Sequence, residues 1–157
     1  MKIYLAGPCD TENRYNMVQI AKVFREYGQY EVYCPWELKI ENAWDYSQEE
    51  WAKLVFDADI KAIKECDAMI MISLGRKSTA GTNWEQGYAY GLNKLVYVLQ
   101  ITEEPTSLMT FWGCSYFKNT NKKNLEKDLD WIITRIELKD YLTDISLEDL
   151  KCQTVLT

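Results

Sequence analysis

Short apolar runs alternate with segments of helical periodicity along this chain, and that order leaves few ways to fold it. Residues 2–6, 30–34, 68–74 and 95–101 read as strands, and 14–27, 47–65, 82–92 and 122–138 as helices. Gly28 closes the first helix and Pro35 stops the second strand. The run Ala68-Met69-Ile70-Met71-Ile72 lacks polar alternation, as expected of a strand covered on both faces. Strands of this kind alternating with helices predict an α/β fold: a doubly wound, flavodoxin-like or Rossmann-like parallel sheet of about five strands with helices on both faces. At 157 residues, without internal repeats or low-complexity tracts, the chain reads as a single domain over 1–157. Residues 139–157 carry weak signals, with Ser146-Leu147-Glu148-Asp149 suggesting a short last helix, and the sequence does not place this tail.

Composition removes several classes of function. A net charge of −6 and a pI near 4.8 argue against a nucleic acid partner, because backbone binding needs clustered Lys and Arg. The grouping Lys118, Lys122, Lys123 and Lys127 is diluted by Asn and Glu and reads as a solvated loop and helix face. No run approaches the ~20 apolar residues of a membrane span. The chain enters its first strand directly, without a secretion signal, so a cytoplasmic location is expected. It contains no histidine, which removes His-based triads and leaves acid–base chemistry to carboxylates, tyrosines, cysteines or lysines. Its five cysteines are odd in number and form no C-x-x-C pair, so no metal site is expected. Cys9 can lie in a crevice after the first strand but has no histidine to activate it; the other four read as small apolar residues.

Two carboxylates fall where apolar residues belong. If Trp84, Tyr88, Ala89 and Leu92 share one helical face, a step of about 100° per residue puts Glu85 inside that sector. The helix follows the apolar run 68–72, where open α/β sheets place their ligand crevice, and its positive end would favour an ionised, nucleophilic Glu85. Thr82-x-x-Glu85 also reads as a capping box, in which Glu85 merely satisfies the Thr82 amide. In the helix 47–65, Trp51, Val55, Ala58, Ala62 and Ile63 define the apolar stripe, and Asp59 projects between Val55 and Ile63. Neither Lys61 nor Lys64 stands at a spacing that pairs with it. Two inward carboxylates in different environments can serve as nucleophile and acid–base group, the logic of glycosyl transfer through a covalent sugar ester.

From residue 2 to about 115 the chain resembles the nucleoside 2-deoxyribosyltransferase family. Lys2-Ile3-Tyr4-Leu5-Ala6-Gly7-Pro8 looks like the family's first strand and loop. Glu50-Trp51 through Val55-Phe56, followed by Asp59 and Asp67, resembles its second helix and the entry to the next strand. Gly81-Thr82-x-Trp84-Glu85-x-Gly87 matches the nucleophile motif, Lys94-x-Val96 the following strand, and Leu108-Met109 a segment that in the family reaches into a neighbouring subunit's site.

The resemblance implies that Glu85 attacks the anomeric carbon, that Tyr4 hydrogen-bonds and orients Glu85, and that Asp59 handles the proton on the departing base or contacts the sugar. It implies substrate contacts from Gly7, Pro8, Glu37, Thr79, Gly81, Ser107 and Met109, with no cofactor. The partners it implies are a small-molecule nucleoside or nucleotide, a nucleobase and further copies of the chain in a homo-oligomer with shared sites. The exposed-looking Leu108-Met109-Thr110-Phe111-Trp112 suggests an oligomer from the residues alone.

Two positions depart from the transferase pattern: Thr79 stands where an aspartate is usual and Ser107 where an asparagine is usual. Hydroxyls at both places look like the related 5′-monophosphate N-glycosidases. An aspartate repels a phosphate dianion, whereas hydroxyls and cations such as Arg14 or Arg76 can bind one. Pro35-Trp36-Glu37-Leu38-Lys39 occupies the region where the family contacts the base, with Lys39 where an amide is common. The expected activity is cleavage of the N-glycosidic bond of 2′-deoxynucleosides through a Glu85 ester, with transfer of the sugar to another base. The alternatives are hydrolysis of nucleoside 5′-monophosphates by the same nucleophile and a nucleotide-binding sensor without catalysis.

Overall fold

In the computed structural model, which describes residues 1–10, 13–26, 30–121 and 124–141, five strands form one parallel sheet in the order β2-β1-β3-β4-β5. The strands are β1 (Lys2–Ala6), β2 (Glu31–Tyr33), β3 (Ala68–Ser73), β4 (Leu95–Gln100) and β5 (Tyr116–Asn119). The helices are α1 (Arg14–Glu26), α2 (Gln48–Glu65), α3 (Ala80–Gly91), α4 (Leu108–Trp112) and α5 (Leu125–Tyr141), with single 3-10 turns at Pro35–Glu37, Ala43–Asp45 and Gly75–Lys77. None of the helices among the described residues is long and apolar enough to cross a membrane. The expected helix at 146–149 and the rest of the tail beyond Tyr141 lie outside the described residues.

Side chains of a strand point alternately to its two faces, and this sorts the core. Ile3, Leu5, Ile70, Ile72, Tyr97 and Leu99 pack on one face with Met17, Ile20 and Phe24 of α1 and Leu129, Ile132 and Ile136 of α5. Tyr4, Ala6, Met69, Met71, Val96 and Val98 pack on the other with Ile63 of α2 and Ala89 of α3. The doubly wound expectation thus holds. In this strand order the chain reverses direction across the sheet between β1 and β3, so the crevice lies beyond the carboxyl ends of those two strands.

Several local expectations are corrected. The sheet has the expected five strands, but the reading of the residues places neither the fifth, β5, nor the helix α4. β5 is a four-residue edge strand held by tertiary contacts: Tyr116 stacks on Tyr97, ring centroids 4.9 Å apart, and Lys118 pairs at 2.7 Å with the buried Asp128 of α5. Lys118 is therefore a pin between two elements rather than part of a solvated face. The stripe assigned to α2 is buried only at Ile63, and Trp51 remains 44% exposed. An 18-residue helix is about 27 Å long, whereas β3 spans about 20 Å, so the N-terminal turns of α2 overhang the sheet.

α3 begins at Ala80, two residues before the expected start, with Thr79 as its N-cap: Thr79 Oγ1 accepts the Thr82 N–H at 3.2 Å. Its buried line is Thr82, Gln86 and Ala89, while Trp84 and Leu92 are exposed. The face proposed from Trp84, Tyr88, Ala89 and Leu92 is thus rotated, because the helix buries its small and polar side against the sheet and leaves its largest rings outside.

Candidate active site

Tyr4 lies on the α2/α3 face because it follows Ile3 by one residue in β1, and it is fully buried there. The parallel register sets Tyr33, the last residue of β2, beside it, and the two rings stack with centroids 5.4 Å apart and planes 22° from parallel. The Tyr33 hydroxyl donates a 2.7 Å hydrogen bond to Asp59 Oδ1 on α2. The Tyr4 hydroxyl is buried and closes no hydrogen bond of ordinary geometry among the described residues. The charged group that acts on it most is Glu85 on α3: burial, then the charges of Glu85 and Asp59, hold the phenol far above the usual tyrosine range. Two carboxyls and two phenols from four elements thus meet at one end of the sheet.

Burial, and after it the negative charge of Asp59, pushes the Glu85 carboxyl up to about 7, against a smaller opposing effect of the Tyr4 phenol. Burial raises Asp59 as well, and the hydrogen bond from Tyr33 opposes that rise. With Thr79 as N-cap, Glu85 falls in the second turn of α3, which removes two readings of it. It does not close a capping box with Thr82, and it lies past the first turn, where the helix end exerts its field. Against the expectation of a carboxylate held ionised, the net effect on Glu85 is to keep its proton up to about pH 7. Cys9 stands near the same carboxylates, and burial, then Glu85 and Asp59, raise its thiol, which disfavours a thiolate.

The other candidate residues divide into those near this cluster and those away from it. Gly7 and Pro8 are buried at the end of β1, and the Gly7 carbonyl accepts from Thr82 Oγ1 at 3.4 Å, tying the β1 loop to α3. A Cβ on Gly7 would come within 2.5 Å of Met17 Cε, so the loop is packed tightly under α1. Gly81 lies one turn before Glu85 on the same flank of α3, and a Cβ there would meet nothing nearer than Thr79 Oγ1 at 4.0 Å. No crowding among the described residues requires glycine at that position. The Thr79 oxygen is taken by its cap.

Glu37 is not brought to the cluster. Its carboxylate forms a bidentate pair with Arg25, at 2.5 and 3.0 Å, because the 3-10 turn after Pro35 carries it toward α1, on the opposite face of the sheet from α2 and α3. Ser107 caps α4 without a side-chain bond, and Leu108 and Met109 are 77% and 81% exposed. α4 is mounted on α3 through Thr110 Oγ1, 3.1 Å from Asn83 Oδ1, and through the Gln86 amide, which donates to the Gly113 carbonyl. Those anchors involve Thr110 and Gly113; among the described residues no hydrogen bond joins Ser107 or Met109 to Glu85, Asp59, Tyr4 or Tyr33, and Met109 points to the surface. Lys39 and Arg76 are exposed, and Arg14 starts α1 close enough to Cys9 to act on its thiol.

Asp67 and Lys94 have structural roles: the Asp67 carboxylate accepts the Lys2 N–H, and Lys94 Nζ binds the carbonyls of Lys64 and Cys66 at the end of α2. Sequence reasoning missed Tyr33. Its only signal is a tyrosine at the carboxyl end of a strand, and its meaning depends on the register with β1.

The sequence profile of the family described as nucleoside 2-deoxyribosyltransferase matches residues 3–140. Among solved structures, the chain is similar to the 2-deoxyribosyltransferase of the psychrotolerant bacterium Bacillus psychrosaccharolyticus, at 29% identity and a TM-score of 0.62, over 80% of this chain and 96% of that one. It shares its fold with a conserved protein from Enterococcus faecalis V583, at 21% identity and a TM-score of 0.67, over 86% and 98% of the two chains. The Clostridium botulinum CMP N-glycosidase BcmB is a third structure of this fold, at 21% identity and a TM-score of 0.57, over 86% and 99%. No functionally curated protein matches the sequence.

Proposed function

The chain belongs to the nucleoside 2-deoxyribosyltransferase family, and from that premise we propose that it cleaves the N-glycosidic bond of 2′-deoxynucleosides and transfers the deoxyribose to another nucleobase. The observation that carries this reading is a recessed Glu85 beside Asp59 and Tyr4 at the carboxyl end of β1, with an open glycine position one turn before it. A Glu85 oxygen attacks the anomeric carbon, the electron pair of the C–N bond leaves with the base, and the proton carried by Asp59 neutralises that base. The incoming base reverses these steps and returns its proton to Asp59. Two interacting carboxyls of this kind share one proton around neutral pH. On Glu85 that proton blocks attack; on Asp59 it serves the departing base. The reactive arrangement is therefore an ionised Glu85 beside a protonated Asp59.

A second copy of the chain completes the site in this reading. Leu108, Met109 and Trp112 are exposed, as are Phe56 and Trp84, whose rings form a ledge with Tyr88 next to Glu85. A monomer of this size has little reason to display so much apolar surface. A 5′-phosphate would rely on Ser107 from that neighbour and on Arg14 or Arg76, since Thr82 Oγ1 donates to the Gly7 carbonyl and so accepts the Thr79 hydroxyl 2.9 Å away; this favours the unphosphorylated nucleoside as substrate.

Incubation with deoxynucleosides, with and without an acceptor base, and with their 5′-monophosphates tests the reading. Base exchange that needs the acceptor is expected, from a species that sediments as a dimer or larger. Release of free base from monophosphates alone assigns the hydrolase, and binding without turnover assigns the sensor.

Tyr4→Phe separates orientation from stability. Deleting a buried hydroxyl that closes no hydrogen bond of ordinary geometry among the described residues should leave the melting temperature unchanged or slightly raised, while kcat falls by about tenfold or more as Glu85 loses the phenol that favours its ionised form. Unchanged kcat in a folded variant would mean that Tyr4 does not orient the nucleophile.

A further inference from the structure

We infer that Tyr33 is a positioning residue for Asp59: by donating to Oδ1 it leaves Oδ2 as the oxygen that carries the proton to the departing base. The inference rests on the proposed glycosyl transfer. Tyr33 is fixed before any substrate arrives, by its register with Tyr4, by the ring stack at 5.4 Å and by the end of β2 two residues before Pro35. Asp59 Oδ1, at 2.7 Å, is the acceptor its hydroxyl finds among the described residues. A proton on Oδ1 would face the phenolic hydrogen, so the protonated form of Asp59 carries its hydrogen on Oδ2.

The groups facing Asp59 come from every neighbouring element: Tyr33 from β2, Tyr4 from β1, Glu85 from α3 and Cys9 from the loop after β1. Among the described residues only Tyr33 forms a hydrogen bond to it, and burial together with the bond to Asp59 keeps that phenol protonated. The phenol is thus a permanent donor. When the C–N bond breaks, the Oδ2 proton moves to the base, the electron pair of the O–H bond stays on Asp59, and Tyr33 stabilises the resulting carboxylate. The stacked rings run between the two carboxyls: Tyr4 meets Glu85, and Tyr33 holds Asp59.

Tyr33→Phe keeps the ring and removes the donor. A hydrogen bond to a charged acceptor contributes enough to move a carboxyl by about one pH unit. In the intact oligomer, the carbon-13 titration of the Asp59 carboxyl, assigned by its loss in Asp59→Asn, should move up by about that amount. The acidic limb of the kcat/KM profile should move with it, kcat should fall about tenfold, KM should change little, and the melting temperature should stay close to wild type. An unmoved titration overturns the inference, as does a moved titration with unchanged kcat and pH profile. Wild type that cleaves no nucleoside while the Asp59 titration still moves in Tyr33→Phe sinks the catalytic reading instead and leaves Tyr33 as the residue that governs Asp59.

Discussion

Glu85→Gln is expected to lose glycosidic cleavage by about 10³-fold or more and, at pH 8, to be more stable than wild type. The two effects have one cause. Glu85 titrates near 4.5 in the unfolded chain and at about 7 in the fold, because burial and the Asp59 charge both oppose its ionisation. Between those values the folded protein keeps a proton that the unfolded chain has lost. Wild-type stability therefore falls as pH rises from about 4.5 to about 7 and levels off above. The loss is on the order of 3 kcal/mol, or several degrees in melting temperature. Glutamine keeps the size and polarity of the side chain without the charge, so it should flatten this slope: equal stability near pH 4, the variant ahead at pH 8. With a slow fluorinated deoxyribosyl substrate, mass spectrometry should find the sugar on wild-type Glu85 and none on the variant. A fully active Glu85→Gln, or an adduct on another residue, rejects Glu85 as nucleophile; a wild-type melting temperature that stays level from pH 4 to 8 rejects the buried charge.

What could be read from the residues, and what could not, divides along sequence distance. The parallel sheet was legible because unbroken apolar strands and helical segments alternate locally. Glu85 and Asp59 stood out because each interrupts the apolar stripe assigned to its helix, yet the fold rotates the stripe of α3 and buries that of α2 only at Ile63, so what brings the two carboxyls together is the packing of both helices on one face of the sheet. The start of α3 was not legible. Thr79 and Thr82 both suit a helix N-cap, and the choice rests on where the loop leaves β3: Leu74 N–H donates to Ser78 Oγ, Gly75 N–H to Ser73 Oγ, and Gly75 adopts a φ of 62°. Once that loop is set, Thr79 takes the cap and Glu85 is left in the second turn, with neither the helix end nor a capping bond to hold its charge.

Glu37 illustrates the opposite limit. Its place after β2 matches the family's base-contacting region, yet a single 3-10 turn sends it to Arg25 of α1. Both members of that pair are about two-fifths exposed, so the bond contributes little stability, and its effect is to settle direction. Tyr33 was invisible for a related reason. Its partner lies 26 residues away, and the contact exists only because β1–β2 register and the path of α2 agree.

The catalytic profile itself should be a bell that closes near neutrality. The proposed transfer needs one proton in the Glu85–Asp59 pair, placed on Asp59. Below the raised Asp59 value both groups are protonated and Glu85 cannot attack; above about 7 both are ionised and the base has no donor. kcat/KM on a deoxynucleoside should rise through the raised Asp59 titration, peak below neutrality and fall about tenfold per pH unit above 7. Asp59→Asn should reduce the rate by about 10²- to 10⁴-fold and also change the shape of the curve. Without the neighbouring charge Glu85 ionises below 7, though above the ordinary glutamate value because its burial remains, and no carboxyl proton is left to lose. The residual activity should therefore climb to a plateau with no falling limb. A wild-type rate that increases through pH 7 and holds to pH 9 would show that Glu85 acts with Asp59 ionised, making Asp59 a sugar contact and leaving the base to depart without its proton.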